Sequence, residues 1–389
     1  MMNSTFNLKA LLFFYFSAMT IIVGYLPVYF QENGLSGSQI GVLLAVGPLA
    51  SMISQPFWGF MTDKYKSSKK IIFICLIGAL IGSLFMFLST TYVLLIVAVF
   101  FFFGFMSPVG GLGDSLTQKT ANQLSVSFGS IRMWGSLGFA IMSLLSGFLL
   151  AKIGIQYIYL PFLFFTIISL ILTLRVTDVT SSKKPINLKE ATKLLGNKRF
   201  MIFLVIMMFI TITHRTNDSF LGIYIVEKGG SESFIGWAWF IGVVSEALVF
   251  ATATIWFRRF HALSFIVLSG VFFAFRWIVM GFIQEPLLVL PLQMMHGLSF
   301  GIFYLCAFHF VTKLIPEELQ STGHLLFYSF FFGLSGVIGS SIGGWIIDKV
   351  NVAYLYSALG VLSIIGVIFM VIYQVVYMKM EKVNSVSSV

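Results

Sequence analysis

The chain has 389 residues, of which 58% are hydrophobic and only 10% are charged, and its formal net charge is +10. A soluble domain is about 25% charged. This chain has too few charged residues to cover the surface of a soluble protein, so its composition excludes that class. A helix of about 20 apolar residues crosses a bilayer, and the chain is long enough for about a dozen such helices. The composition therefore predicts an all-α membrane protein.

Apolar segments separated by polar breaks predict twelve transmembrane spans in chain order. The first span is too long for a signal peptide and lacks a small-residue cleavage site, so we expect it to stay in the mature protein. The predicted spans are 8–30, 39–61, 71–89, 92–117, 129–151, 155–175, 200–221, 234–257, 262–282, 287–312, 322–347 and 352–377.

Lysine and arginine residues predict the orientation of these spans, because loops on the cytoplasmic side carry an excess of them. With both termini in the cytoplasm, the outer loops receive only Lys152, Lys228 and Lys349. The inner side then receives Lys9, Lys64, Lys66, Lys69, Lys70, Lys119, Arg175, Lys183, Lys184, Lys189, Lys193, Lys198, Arg199, Arg258, Arg259, Lys313, Lys379 and Lys382. We expect a multi-pass protein of the cell membrane with cytoplasmic termini, and the basic balance gives no reason to expect nucleic acid as a partner.

The longest polar stretch divides the spans into two sets of six. The predicted parts are an N-terminal half (1–176), a cytoplasmic linker (177–199), a C-terminal half (200–378) and a short tail (379–389). Two six-helix halves are typical of transporters whose substrate site lies between the halves. We expect such a protein to act as a monomer on a small-molecule substrate.

Ionisable side chains within spans are costly, by about 2.5–3.5 kcal/mol even on the lowest scale, and they are therefore candidate functional residues. The hairpin between spans four and five centres near Gln123, and Asp114 and Arg132 lie equally far from it on opposite arms. Because antiparallel helices rise equally from their loop, the two side chains reach the same depth, where an ion pair is possible.

The second half offers a similar arrangement. Glu246 and Arg276 lie equally far from the turn near His261, at a depth near the middle of the membrane. Such pairs also arise for purely structural reasons, each charge neutralising the other. For Glu246 and Arg276 we favour a functional role because of their depth in a two-half architecture.

Three other positions stand out. Asp218 shares one face of span seven with His214 and Arg215, where a structural pair and a transport role fit equally well. His296 lies at a similar depth in span ten. Phe139 follows Arg132 by two helical turns on the same face, which suits either stacking on a substrate or core packing.

The sequence lacks the patterns of an enzyme or of a cofactor site. It contains no glycine-rich phosphate loop, no serine–histidine–acid spacing in a loop and no cluster of metal ligands. We therefore predict no catalytic site, no cofactor and no bound metal.

The segment after span two, GFMTDKYKSSKK, resembles the signature that major facilitator transporters carry between spans two and three. Gly59, Asp63 and Lys64 match its glycine, acid and base, whereas Ser67 and neighbouring lysines replace its later Gly-Arg. The resemblance implies that these residues help to close a cytoplasmic gate. The corresponding segment of the second half, WFRRFH, is a degenerate version.

A more detailed resemblance, over essentially the whole chain, is to the proton symporters around lactose permease, particularly the 3-phenylpropionate permease-like branch. The matching segments are YLPVYFQENGLSGSQIGVLLAVGPLASMISQPFWGFMTD, GDSLTQK, IRMWGSLGF, HRTNDSF, the acid in span eight, FRW and MMHG. The resemblance implies the major facilitator fold of twelve helices in two halves.

The same resemblance implies roles for the membrane-embedded residues. Asp114 and Arg132 match residues that bind substrate, and Phe139 stands where the sugar transporter has a tryptophan. Glu246, Arg276 and His296 match residues that link substrate binding to proton translocation, and Arg276 is also a candidate to meet a substrate carboxylate.

One position departs from that pattern. Ser299 replaces the carboxylate expected one turn after the histidine, and serine does not titrate near neutral pH. If the chain is proton-coupled, Glu246 is the first candidate to carry the proton and Asp218 the second.

The expected function is therefore proton-coupled uptake of a small organic solute, such as an aromatic carboxylate, a sugar or a nucleoside, by alternating access. The branch resemblance slightly favours an organic acid. The alternative is a proton-coupled exporter of drugs or metabolites, against which span five (GSLGFAIMSLLSGFLLA) lacks the proline of the exporter signature. A receptor-like scaffold would need no matched charges within the membrane.

Overall fold

The computed structural model describes residues 2–178, 194–256, 261–316 and 319–387. Within these ranges, twelve helices are long and apolar enough to span a membrane. They are α1 (Met2–Glu32), α2 (Gly37–Tyr65), α3 (Ser68–Leu88), α4 (Tyr92–Leu124), α5 (Phe128–Ile153), α6 (Tyr159–Arg175), α7 (Lys198–Glu227), α8 (Glu232–Ala251), α9 (Ala262–Phe282), α10 (Pro286–Leu314), α11 (Gly323–Lys349) and α12 (Val352–Ser387). The all-α prediction and the number of spans are confirmed.

Local sequence signals begin and end several of these helices. Ser36 and Gln39 form a capping box before α2, and the hydroxyls of Ser67 and Thr91 cap α3 and α4. These side chains satisfy backbone N–H groups that have no partner within the helix. The α4–α5 hairpin turns at Ser125, whose φ of 53° lies in the left-handed region. Short polar loops can therefore connect long apolar helices.

Two predicted spans differ from simple α-helices. α10 contains a π-helical turn at Gly297–Gly301, and α11 contains a second one at Ser329–Leu334. Such turns widen the helix by one residue and often occur at functional sites. α12 extends to Ser387, well into the segment predicted as a tail. Most of the predicted linker (179–193), together with Arg258 and Arg259, lies outside the described residues.

The chain divides into two compact units. Unit 1 comprises Met1–Pro185, Asp218–Phe240 and Ser340–Asp348. It thus contains the predicted first half together with the adjoining ends of α7, α8 and α11, which the orientation signal assigns to the outer side. Unit 2 comprises Ile186–Asn217, Ile241–Gly339 and Lys349–Val389. The division of the sequence into two six-helix halves stays a prediction.

Glycines allow close approaches between the helices of unit 1. A Cβ atom added to Gly138 of α5 would lie 2.2 Å from the carbonyl oxygen of Phe13 in α1. A Cβ atom on Gly344 of α11 would lie 2.1 Å from the carbonyl oxygen of Gly37 in α2. Small residues let helix backbones approach closely in membranes, so these positions do not tolerate a side chain without a shift of the helices.

Unit 2 is held by polar contacts between α7, α9 and α12. The indole N–H of Trp277 donates to the hydroxyl of Thr213 over 3.0 Å, and the hydroxyl of Thr213 lies 3.1 Å from that of Ser363. The phenol of Tyr356 donates to the side-chain oxygen of Asn217 over 3.1 Å. Each of these polar groups thus has a partner on another helix, which fixes the rotation of these helices about their axes.

The end of α11 is joined to the beginning of α2 within unit 1. The carboxylate oxygens of Asp348 accept hydrogen bonds from the backbone N–H groups of Gly37, at 2.5 Å, and of Ser38, at 2.7 Å. A carboxylate at a helix N-terminus satisfies unpaired donors and interacts favourably with the helix dipole.

We expect the substitution Asp348→Ala to destabilise unit 1 by about 1 kcal/mol, because it removes an N-terminal cap. The apparent melting temperature of the purified protein in detergent should fall by a few degrees. Asp348→Asn keeps one oxygen acceptor, so its melting temperature should fall less. Lys349→Ala serves as a control at the neighbouring exposed position. Equal melting temperatures for Asp348→Ala and Lys349→Ala would contradict the interpretation.

Candidate substrate and coupling site

Asp114 of α4 and Arg132 of α5 form an ion pair. The distance between Arg132 Nε and Asp114 Oδ1 is 2.7 Å, as their equal spacing from the hairpin predicts. The side chains of Arg132 and Asp114 keep 26% and 42% of their surface exposed. Because a charged pair within a membrane avoids lipid, this exposed surface is available to a polar ligand.

The aromatic ring of Phe16 and the absence of a side chain at Gly135 position the arginine of this pair. The guanidinium carbon of Arg132 lies 4.2 Å from the centre of the Phe16 ring, a favourable cation–π distance. A Cβ atom on Gly135 would lie 2.6 Å from the Phe16 ring and 2.7 Å from an Arg132 nitrogen. Only glycine therefore leaves room for the arginine to lie between the two helices.

Glu246 of α8 lies beside His296 of α10. Glu246 Oε2 is 3.6 Å from His296 Nε2, and the two side chains are 24% and 9% exposed. The His296 ring also lies 5.2 Å, centre to centre, from Phe300, which stacks on His214 at 4.4 Å. An acid next to a histidine is a pair between which a proton can be exchanged.

Arg276 of α9 is completely buried. Its guanidinium donates to the Ser299 hydroxyl over 2.7 Å and to Gln293 Oε1 over 3.1 Å. It also lies 4.6 Å from the Trp277 ring. The sequence predicts a contact of Glu246 with Arg276, whereas the structure gives each a different neighbour on α10: His296 for the acid, and Ser299 with Gln293 for the arginine.

The π-helical turn and a close glycine contact explain this arrangement on α10. The backbone N–H of Gly297 donates to the Ser245 hydroxyl over 2.9 Å, and a Cβ atom on Gly297 would lie 2.3 Å from the Ser245 carbonyl oxygen. α8 and α10 are therefore nearly in backbone contact, which brings Glu246 to His296. Sequence spacing alone does not reveal this contact.

The other predicted site residues lie apart from these contacts. Asp218 is half-buried on α7, in the part of that helix that belongs to unit 1. Arg215 lies in unit 2, with its guanidinium carbon 5.7 Å from the Phe332 ring. Phe139 packs edge-on against Trp239 of α8, with ring centres 5.8 Å apart.

The predicted gate motif lies at the α2–α3 connection. Asp63 and Lys64 are exposed, and within the described residues no ion pair to Asp63 is found. Lys66 ends α2 in the left-handed conformation, with a φ of 49°. The adjoining start of α3 binds Asp178, which accepts from the Ser67 hydroxyl and, over 3.3 Å, from the backbone N–H of Lys69.

The sequence analysis did not identify Gln293 and Ser299 as hydrogen-bond partners of Arg276. It also did not identify Trp239 as the neighbour of Phe139. Gln293 and Ser299 each lie three residues from His296, on the same face of α10, so helical spacing was a usable signal for them. No signal of that kind marks Trp239, because its neighbours belong to α1 and α5.

Residues 5–358 match the model of the MFS_1-like family. The chain belongs to this family of major facilitator transporters. Relatives include an uncharacterized transporter YwbF of Bacillus subtilis, 28% identical over 92% of this chain and 90% of that protein. The maltose permease of Geobacillus stearothermophilus is 26% identical over 93% of this chain and 92% of that protein. The probable 3-phenylpropionic acid transporter of Escherichia coli is 26% identical over 79% of this chain and 82% of that protein.

Among solved structures, the crystal structure of the nucleoside transporter NupG superimposes with a TM-score of 0.86. It is 17% identical and the match covers 95% of this chain and 99% of that chain. The major facilitator fold and the resemblance to the permease branch are thereby confirmed. The MFS_1-like chain is a multi-pass membrane protein and a secondary transporter of a small molecule, and it is not an enzyme.

We expect Ser299→Ala to destabilise the transporter by about 1–3 kcal/mol, because a buried, charged donor of Arg276 loses an acceptor. The apparent melting temperature in detergent should fall. Ser335→Ala is a matched control, since it removes an equally buried hydroxyl whose partner within the described residues is the neutral Thr211, at 2.7 Å. If both variants lose the same stability, Arg276 does not depend on Ser299.

Proposed function

We propose that this transporter imports a small, neutral, hydroxyl-bearing solute together with a proton, by alternating access. It acts as a monomer in the cell membrane with both termini in the cytoplasm, an orientation that the distribution of lysine and arginine supports. The observation that carries the proposal is the partly exposed ion pair of Asp114 and Arg132.

The chemistry of this pair suits a solute with neighbouring hydroxyl groups. A carboxylate only accepts hydrogen bonds and a guanidinium only donates them, so side by side they match the donor and acceptor sides of adjacent hydroxyls. A carboxylate solute would bind Arg132 only against the repulsion of Asp114. The geometry therefore supports a sugar or a nucleoside better than the organic acid that the branch resemblance slightly favours.

The proposed proton carrier is Glu246, with Asp218 as the second candidate. Glu246 lies in unit 2 with its Oε2 3.6 Å from His296 Nε2, and its carboxyl group can bind and release a proton. Ser299, where the branch has a carboxylate, cannot replace it. Protonation of Glu246 would remove its attraction for His296 and so loosen α8 from α10.

Arg276 has a supporting role in this mechanism. Its side chain is fully buried on Ser299 and Gln293, so we propose that it holds α9 against α10 and responds when Glu246 changes its charge. Gly59, Asp63 and Lys64 are proposed to contribute to closing the cytoplasmic side during the transport cycle.

The substitution Asp114→Asn distinguishes a neutral solute from an acid. For a hydroxyl-bearing solute we expect affinity to fall at least about tenfold, because a charged hydrogen-bond acceptor is lost. For a carboxylate solute the affinity should rise, because the Arg132 charge is freed. Isothermal titration calorimetry measures the affinity of the wild type and of the variant for maltose, uridine and 3-phenylpropionate. The comparison shows whether the substitution lowers or raises the affinity for each solute. Stronger binding of 3-phenylpropionate to Asp114→Asn would reject the neutral-solute proposal.

Coupling to protons is tested in proteoliposomes. Addition of a transported solute should make the external medium more alkaline, because each solute entering carries a proton inward. Glu246→Gln, which cannot titrate, should abolish this signal, whereas Glu232→Gln in the first turn of α8 should leave it unchanged. Solute uptake without any pH change in the wild type would indicate a uniporter or a carrier driven by another ion.

A further inference from the structure

The exposed surface of α4 changes from apolar to polar along the helix. In the first half of the helix the exposed residues are all apolar: Val93, Leu94, Val97, Phe100 and Phe101. From residue 111 to the end of α4, a stretch that the structure describes in full, the exposed residues are glycine or polar: Gly111, Ser115, Gln118, Asn122 and Gln123. A polar side chain that faced lipid would lose its hydrogen bonds with water. The second half of α4 therefore borders a polar space.

One line of residues on this polar surface starts at the ion pair. Asp114, Gln118 and Asn122 are spaced by four residues, so they share one face of α4. Gln118 lies one turn and Asn122 two turns beyond Asp114, about 6 and 12 Å along the helix axis. A Cβ atom on Gly111, three residues before Asp114, would lie more than 4 Å from the described residues of every other helix. We call Asp114, Gln118 and Asn122 the α4 row.

The two amides of the α4 row are joined to each other. Gln118 Nε2 donates to Asn122 Oδ1 over 2.8 Å, and both side chains are exposed. This bond leaves the Gln118 carbonyl oxygen as an acceptor and the Asn122 amide N–H groups as donors. Neighbouring hydroxyl groups of a solute need one acceptor and one donor. The amides thus repeat, without charge, the complementarity of the Asp114–Arg132 pair.

The basic residue within this segment is directed to another helix. Lys119 Nζ donates to the Ser68 hydroxyl of α3 over 3.3 Å, so Gln118 and Asn122 present neutral groups. Hydrogen bonds to charged groups are stronger than those between neutral groups. The affinity for hydroxyl groups therefore falls along the α4 row from the ion pair to the amides. Such a decrease favours release, because a solute that leaves the pair exchanges strong partners for weaker ones before it reaches water.

We propose that Gln118 and Asn122 form a release site, through which the solute passes between the Asp114–Arg132 pair and the cytoplasm. This inference rests on the proposed function and deepens it. During import the hydroxyl-bearing solute occupies the ion pair first and the amides second. A solute that arrives from the cytoplasm meets the amides first. The release site therefore affects binding from one face of the membrane only.

The test measures uptake of radiolabelled maltose or uridine, whichever the wild type transports, in right-side-out and inside-out membrane vesicles without ion gradients. Gln118→Leu removes an amide of the release site. From the cytoplasmic face its KM should rise about fivefold, because the first binding step loses hydrogen bonds. From the outer face the KM should stay unchanged and Vmax should fall by the same factor, since Vmax/KM is equal in both directions when no gradient acts. Asn122→Leu should behave in the same way.

A control and a second measurement separate release from folding. Gln123→Leu removes an exposed amide of the same helix that lies off the α4 row, and it should leave KM unchanged from both faces. The three leucine variants should melt at nearly the same temperature, because a hydrogen bond between exposed side chains four residues apart adds little to helix stability. A purely structural role would instead lower the melting temperature and alter uptake equally from both faces.

The outcomes distinguish the release site from the proposed function. If Gln118→Leu and Asn122→Leu match Gln123→Leu from both faces while Asp114→Asn raises KM from both, the release site is rejected and the proposed function stands. A KM raised from the outer face alone would overturn the release site by assigning the amides to the outer side. If the wild type transports 3-phenylpropionate and neither maltose nor uridine, the proposed function fails and the release site with it.

Discussion

The structure depends on the high free energy of a charged side chain in a low-dielectric environment. A charge within a span is tolerated when another helix supplies a counter-charge or hydrogen-bond partners. In unit 1, Arg132 of α5 meets Asp114 of α4 at 2.7 Å. In unit 2, Arg276 of α9 meets two neutral acceptors of α10, Ser299 and Gln293. These contacts fix which face of each helix points inward, and the apolar residues then pack around that choice.

The two arginines differ in a way that suits different tasks. The partner of Arg132 is an acid, and both side chains keep exposed surface, so a solute can exchange contacts with them. Arg276 donates to the uncharged Ser299 and Gln293 and is fully buried, which favours a structural and responsive role. The acid of unit 2, Glu246, is thereby left beside His296, at the contact between α8 and α10 where the proposed proton carrier acts. The proposed roles in binding and in coupling thus fall on chemically different sites.

Glycine is what allows these polar contacts to form within a tightly packed helical protein. Gly135 makes room for Arg132, and Gly297 brings α10 to the backbone of α8 beside Glu246. Gly24 performs the same function for Trp239. In each case a Cβ atom would meet backbone or a functional side chain within 3.4 Å, so the absence of a side chain is as important to the site as the charged residues.

The sequence by itself determined the class of fold, the twelve spans and the Asp114–Arg132 contact, because hydropathy and equal spacing from a short hairpin are local properties that helix geometry converts directly into depth. It also marked Glu246, Arg276 and His296 as costly residues within the membrane. Only the tertiary structure decided that Glu246 lies beside His296, that Arg276 binds Ser299 and Gln293, and that Trp239 meets α1 and α5. Depth along a helix is encoded in sequence spacing, whereas rotation about the helix axis, the π-helical turn in α10 and the choice of neighbouring helix are set by packing between segments far apart in the chain.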